Sequence, residues 1–456
     1  MLAAVLTTAP AAVAGPPGKW TQLGEANLTN IDQVALARTS DGTLHAVWTI
    51  PGANNESLVH EPISAAGVAA GVNVIQTGWA AISPVPDLVT TADGLRVFFG
   101  GIRTTDANEP NSNMNTATAS PDGGAWSLFS GTTVKGDSAY ASDSGAALLP
   151  DGTPLLSWGG TGSGVFVHRG LDPGTPNFPI HEQLGGCCGY SPDVAVDTKS
   201  GAPFVVWYSN ATGKLGVWAQ SLDPSTGAPT GAPANMPGST TLYNGAPESS
   251  QMLQRTPIVA RAGGGVYVAY PSGYPTTNQV RLWRIADSKS DVVATSDRGH
   301  IASLAAAPDG RLWVFWSEQS SPPQIFARRS NKSATKFGPA IKLIAPPGQQ
   351  SAYKIDGNAQ NGPLDLVVLF GTVSTQAQWH TQVLPALALK AKSSAGKVTF
   401  TVSDPDPVKG AKVSAKGKSA MTNATGHVTL TLPPGKVTPK ATKSGYSSAT
   451  LKLKVK

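Results

Sequence analysis

Cysteine is nearly missing from this chain of 456 residues: there are two, and they are adjacent, Cys187 and Cys188. That scarcity excludes a disulfide framework and the paired-Cys spacing of a structural zinc site. His-x-x-x-His spacing is missing as well, so neither a metal nor another cofactor is expected. Charged residues are only 14% of the chain, against about a quarter in an average soluble domain. No run beyond the first few residues approaches the ~18 apolar positions that cross a bilayer, so no membrane span is expected. The formal charge of +6 is unevenly placed. Residues 386–456 carry 13 Lys and 2 Asp, which leaves 21 basic and 26 acidic groups for the first 385 residues. An acidic body without a basic, aromatic-interleaved stripe argues against nucleic acid.

What the chain has in abundance is glycine and proline, 50 and 37 residues, the profile of many short strands joined by turns. A single pattern recurs seven times: an apolar run, a turn containing Gly, and a second apolar run ending near an aromatic. The turn glycines are Gly42, Gly94, Gly152, Gly201, Gly264, Gly310 and Gly362. Asp-Gly at most of these turns reads as a two-residue hairpin loop, because glycine supplies the positive φ that matches strand twist. Third and fourth strand-like runs follow most copies. Four strands per repeat, seven times over, predict an all-β, seven-bladed β-propeller. Trp48, Phe99, Trp158, Trp207, Tyr270 and Trp316 end the second runs and are expected in the core between stacked blades. The last copy lacks an outer strand, and Lys19 to Leu23 fits that slot, so the N-terminal strand is expected to close the ring.

The Ala-rich stretch before Gly15 has a small-x-small end, Ala12-Val13-Ala14, and reads as a signal peptide. The expected organisation is a leader over 1–15, a propeller over 16–385 and a small β-sandwich over 386–456, in a secreted, monomeric protein. In the last segment the stretches GAKV, TNATGHVTLTLPPG and ATKSGY resemble bacterial Ig-like or carboxypeptidase-regulatory-like modules. That resemblance implies a spacer, with its Lys as a solvated face. The propeller part resembles the secreted BNR-repeat, sialidase-like group through Ser120 to Trp126, an Asp-box-like turn one residue short of the usual spacing. A sialidase would need three Arg for a carboxylate, a Tyr backed by Glu, and an Asp acid. That set is incomplete here.

In a propeller the segments leading into the inner strands gather at one mouth of the central channel. They supply Asp32, Asp87, Tyr140, Asp143, Cys187, Cys188, Tyr190, Gln254, Arg255, Arg298, His300, Lys354 and Asp356 as the candidate ligand-binding set, with acids in the early blades and cations in the late ones. Adjacent Cα atoms about 3.8 Å apart fall short of the usual disulfide span. A Cys187 to Cys188 bond would therefore form a strained ring, for which the flanking glycines give room, the alternative being two free or intermolecular thiols. His60, His168 and His380 fall in third strands of different blades, too far from the axis to converge on an ion. The function expected is extracellular recognition of a glycan or other surface ligand. The alternatives are a polysaccharide-active enzyme, sialidase-like hydrolase or lyase, and a protein-binding scaffold.

Overall fold

The computed structural model describes residues 17–28, 32–51, 56–83, 85–102, 113–128, 141–160, 164–172, 175–181, 189–209, 211, 213–239, 254–272, 278–296, 299–372, 374–394 and 396–455. The expected leader lies outside them. Every helix or strand in the described residues is a strand, and the strands up to Val383 form seven consecutive antiparallel sheets built on four-strand meanders. The inner strands are Ala35–Arg38, Asp87–Thr91, Ala141–Leu148, Gly189–Val196, Ile258–Ala260, Gly299–Ala306 and Ser351–Asn358. Each touches the next, and the last touches the first, so the ring closes on itself. This is a β-propeller.

The blades stack through the residues that the repeat singled out. Trp48, Phe99, Trp158, Trp207, Tyr270 and Trp316 are all buried. At the seam, Thr21–Leu28 is the fourth strand of the seventh sheet, with Thr21 opposite His380 and Leu23 opposite Gln378. Trp20 packs edge-on against Phe370, with centroids 5.0 Å apart, and donates from its indole nitrogen to the Ile344 carbonyl at 2.7 Å. A second tie crosses the same seam: Arg38 of the first blade pairs with Asp365 of the seventh. Asp365 also accepts from Gln382 at 3.1 Å and lies 2.9 Å from the His380 ring.

The hairpins differ from the two-residue expectation at several Asp-Gly pairs. At Asp41-Gly42, Asp151-Gly152 and Asp309-Gly310 the loop has three residues, because the glycine amide reaches back to the carbonyl of Thr39, Leu149 and Ala307 respectively. Each Asp accepts from the amide two residues on, Thr43, Thr153 and Arg311, which favours a type I turn followed by a left-handed glycine. Only Ala92-Asp93, between paired Thr91 and Gly94, is a two-residue loop among these four.

After Val383 the chain builds a small sandwich. Ala388–Ser394, Lys397–Asp404 and His427–Thr431 share one sheet, and Lys412–Ala415, Lys418–Met421, Lys440–Thr442 and Ala449–Thr450 share another. Val398, Phe400, Val402 and Val413 fill its interior. It docks on the sixth blade. Arg329 donates to Asp404 with its guanidinium 5.9 Å from the Trp313 ring and 5.4 Å from the Tyr446 ring, and Arg311 pairs with Asp406 at 2.7 Å.

Candidate functional site

The inner strands place one column of residues on the axis. In pairing register with the second strands, Asp87, Gly145, Asp193, Ser303 and Asp356 occupy equivalent positions in their blades. Three of the five are aspartates. They line a cavity of about 180 Å³ together with Gln33, Arg255 and Ser303. Before this column the inner strands of the third, fourth, sixth and seventh blades bulge. Such bulges re-aim side chains. In two of them a non-glycine residue takes a left-handed backbone, Asp143 at φ 52 and Ser191 at φ 49, a strain that clusters at functional sites. The Asp143 carboxylate accepts from the Ser191 amide. Gly145 lets the third and fourth blades approach: a Cβ there would lie 2.8 Å from the Asp193 Cα.

Arg255 is the hub of the cavity. Its guanidinium pairs with Asp87, with Asp356 at 3.1 Å, and reaches the Val34 carbonyl at 3.4 Å. Its backbone amide donates to the Gln33 side chain at 2.8 Å, while Gln33 donates to Asp356 at 3.4 Å. The Nε of Arg255 is buried without a partner among the described residues. Asp87 also accepts from the amides of Leu88 and Ala146, at 2.8 and 2.6 Å. Beside this hub Lys354 pairs with Asp32 at 3.0 Å. Five carboxylates, those of Asp32, Asp87, Asp143, Asp193 and Asp356, thus face two cations.

The electrostatics follow from burial and this surplus. Burial pushes the Asp143 carboxyl up to about 6, and the neighbouring Asp32 adds to the effect. Asp193 is raised well above the ordinary carboxylate range, first by burial and then by Asp87 and Asp356, with Arg255 opposing. Asp356 is raised by burial against the pull of Arg255. On Arg255 burial works against the charge, yet the three aspartates outweigh it and hold the proton more firmly. Protonated Asp143 offers a donor as well as acceptors; the paired carboxylates offer acceptors only.

Of the residues expected at the mouth, the structure brings together Asp32, Asp87, Asp143, Arg255, Lys354 and Asp356. Gln254 is placed differently. Its buried amide accepts from Ile355 at 2.9 Å and donates to Ala302 at 3.2 Å, fastening the fifth blade to the sixth and seventh. Tyr190 packs against the core between the fourth and fifth blades. His300 lies in an inner strand, with its side chain outside the described set, and Tyr140, Cys187, Cys188 and Arg298 lie outside the described residues. The cations do not stand apart from the acids, because Arg255 spans to the second and seventh blades. Sequence reasoning missed Asp193 and Gln33 as site residues. Asp193 carried a signal: Pro86-Asp87 and Pro192-Asp193 set an Asp at equivalent inner-strand positions, and one column of inner-strand residues must converge on the axis.

The fold and the cavity together define a β-propeller with an acidic axial cavity. No family model matches the chain, and no curated protein matches it. Solved structures match at low identity. A protein of unknown function from Dyadobacter fermentans is 10% identical, with a TM-score of 0.49 over 80% of this chain and 98% of that one. An ulvan lyase bound to a GlcA-Rha3S oligosaccharide is 11% identical, at 0.46 over 80% and 95%. A lectin in complex with α-methyl fucoside is 13% identical, at 0.40 over 71% and 99%. No helix of the described residues is long and apolar enough to cross a membrane.

Proposed function

We propose that this protein is an exported recognition propeller whose axial cavity takes a neutral or amino-substituted polyhydroxylated unit, such as the terminal residue of a glycan. The observation that carries the reading is the surplus of three aspartates, Asp87, Asp193 and Asp356, over the single Arg255 in the lining of a polar cavity. Carboxylates accept strongly from vicinal hydroxyls and ammonium groups, and a site with excess negative charge rejects an anionic ligand by like-charge repulsion. A uronic or sialic acid is therefore the wrong ligand. The volume of about 180 Å³ is below the ~300 Å³ at which drug-sized pockets begin, which suits one small unit. The Ala-rich leader expected over residues 1–15 supports export.

A second reading has its own observation. A carboxyl raised to about 6 at Asp143, in one cluster with the Arg-paired Asp87 and Asp356, supplies the set of neighbouring carboxyls that acid–base hydrolysis of a glycosidic bond uses. Screening the full chain on an array of neutral, amino and uronic oligosaccharides, with reducing-sugar release followed in parallel, tests both. Retention of neutral or amino glycans without product supports recognition. Product release that Asp143→Asn abolishes makes the protein a hydrolase, and preferential capture of uronic glycans that the axial substitution Lys354→Gln weakens overturns both readings of the cavity.

A further inference from the structure

The C-terminal sandwich holds 13 Lys, no Arg, no Glu and two Asp. Both aspartates are committed to the propeller: Asp404 is buried against Arg329, and Asp406 pairs with Arg311. Docking therefore buries one of the module's two acidic side chains and engages the other, Asp406, still 37% exposed, with Arg311, which leaves its lysines without an acidic counterpart of their own. Eleven of these lysines are exposed.

Their arrangement is specific on one face. Gly435–Val437 pairs with Leu453–Val455, and Lys440–Thr442 pairs with Ala449–Thr450 in the same register. Lys436 thus stands directly opposite Lys454, and the shared register sets Thr438 opposite Lys452 and Lys440 opposite Thr450. The next strand adds Lys412, opposite Thr442. Side chains two apart on a strand are roughly 7 Å from one another, and like charges directly opposite destabilise a sheet. A merely solvated face has no need to accept that cost, since acids elsewhere on a strand offset it.

We propose that this face binds a linear anionic polysaccharide, whichever unit the axial cavity takes. A row of point charges at strand spacing, interleaved with threonine hydroxyls, suits repeating sulfate or carboxylate groups. Nucleic acid is the weaker match. The module has no arginine for bidentate phosphate or base contacts. Its only aromatics are Phe400, buried in the core, and Tyr446, which lies against Arg329, so none is left for base stacking.

The test uses the full chain on immobilised heparin, with dextran and duplex DNA as comparisons, at several salt concentrations. Wild type is expected to bind heparin with an affinity that falls as salt rises, to ignore dextran and to bind DNA less tightly. Combined Lys436→Gln, Lys440→Gln, Lys452→Gln and Lys454→Gln should weaken heparin binding roughly tenfold or more and flatten the salt dependence. The isocharge control on other surfaces, Lys390→Gln, Lys392→Gln, Lys397→Gln and Lys409→Gln, should cost clearly less. A paired variant, Lys436→Gln with Lys454→Gln, should keep or raise the melting temperature. Absence of heparin binding at low salt, equal losses in the two quadruple variants, or tighter binding of DNA each overturns the proposal.

Discussion

Two arginines are buried among carboxylates in this ring, and their surroundings differ. Arg38 at the seam meets Asp365, the Gly42 carbonyl and, at 3.4 Å, Asn358. Its carboxylate partner is fully enclosed, with side-chain exposures of 3% and 0% for the pair. Arg255 at the axis meets Asp87 and Asp356, keeps one buried nitrogen unpartnered and borders a cavity that also contains Asp193. The first cluster balances donors against acceptors, although Arg38 and Gly42 also border a cavity of about 430 Å³. The second leaves carboxylates in excess at an open space. Burial of a charge and a neighbouring cavity are common to both, so the surplus of carboxylates separates the structural network from the binding one.

The seam should give the largest effect. Asp365→Ala leaves Arg38 buried without its counter-ion, and breaking such a pair costs about 3–5 kcal/mol; chemical unfolding of the variant measures it. A loss under 1 kcal/mol would mean that the seam does not hold the ring. Acid should come next. The His60 ring is enclosed and 2.9 Å from His45. Burial first, and His45 second, lower its pKa to about 3. The folded value lies below the unfolded one, so between about pH 6.5 and 3 the unfolded chain binds more protons and stability falls, by up to about 4 kcal/mol at the low end. Melting temperature against pH for wild type and His60→Gln checks this, and parallel curves would refute it.

The axis should respond with the opposite sign. Asp143 has a folded pKa above its unfolded one, so the folded chain holds this proton more tightly and stability declines as pH rises from about 4 to 6. The deficit persists at neutrality. Asp143→Asn is therefore expected to stabilise at pH 7, by about 1–2 kcal/mol after allowance for its partial exposure, while weakening ligand binding. Such a trade is what a functional surplus of charge predicts. A destabilised variant would place Asp143 with the structural group. The smallest effect belongs to an ion pair at the surface: Arg169 and Asp151, 24% and 54% exposed, should shift the melting temperature by no more than about 2 °C in Arg169→Ala.

Much of the fold was legible because each blade repeats its own apolar runs and glycine turn, and because burial between blades demands the same aromatic at the same place. Local turn geometry was less so. Asp41, Asp151 and Asp309 accept from an amide two residues on, which a dipeptide pattern does not reveal. The axial cluster was half legible. The expectation of entry segments identified Asp87, Arg255, Lys354 and Asp356, although Asp87, Lys354 and Asp356 lie within inner strands, whereas their pairing depends on ring closure, which brings residues 33, 87, 255 and 356 together. Gln254 shares Arg255's position in sequence, yet its amide is spent on Ala302 and Ile355, a difference of side-chain direction that spacing does not encode. The use of Asp404 and Asp406 against the propeller was invisible for the same reason: it belongs to docking, not to either segment.

The central claim is that the surplus of carboxylates at the axis is the binding site. The most direct measurement is a crystal structure of the full chain with the tightest neutral or amino oligosaccharide from the array. The account predicts a sugar ring in the axial cavity, hydrogen-bonded to Asp193, with Arg255 still paired to Asp87 and Asp356. A ligand bound on the outer rim of the blades, with only water at the axis, would contradict it.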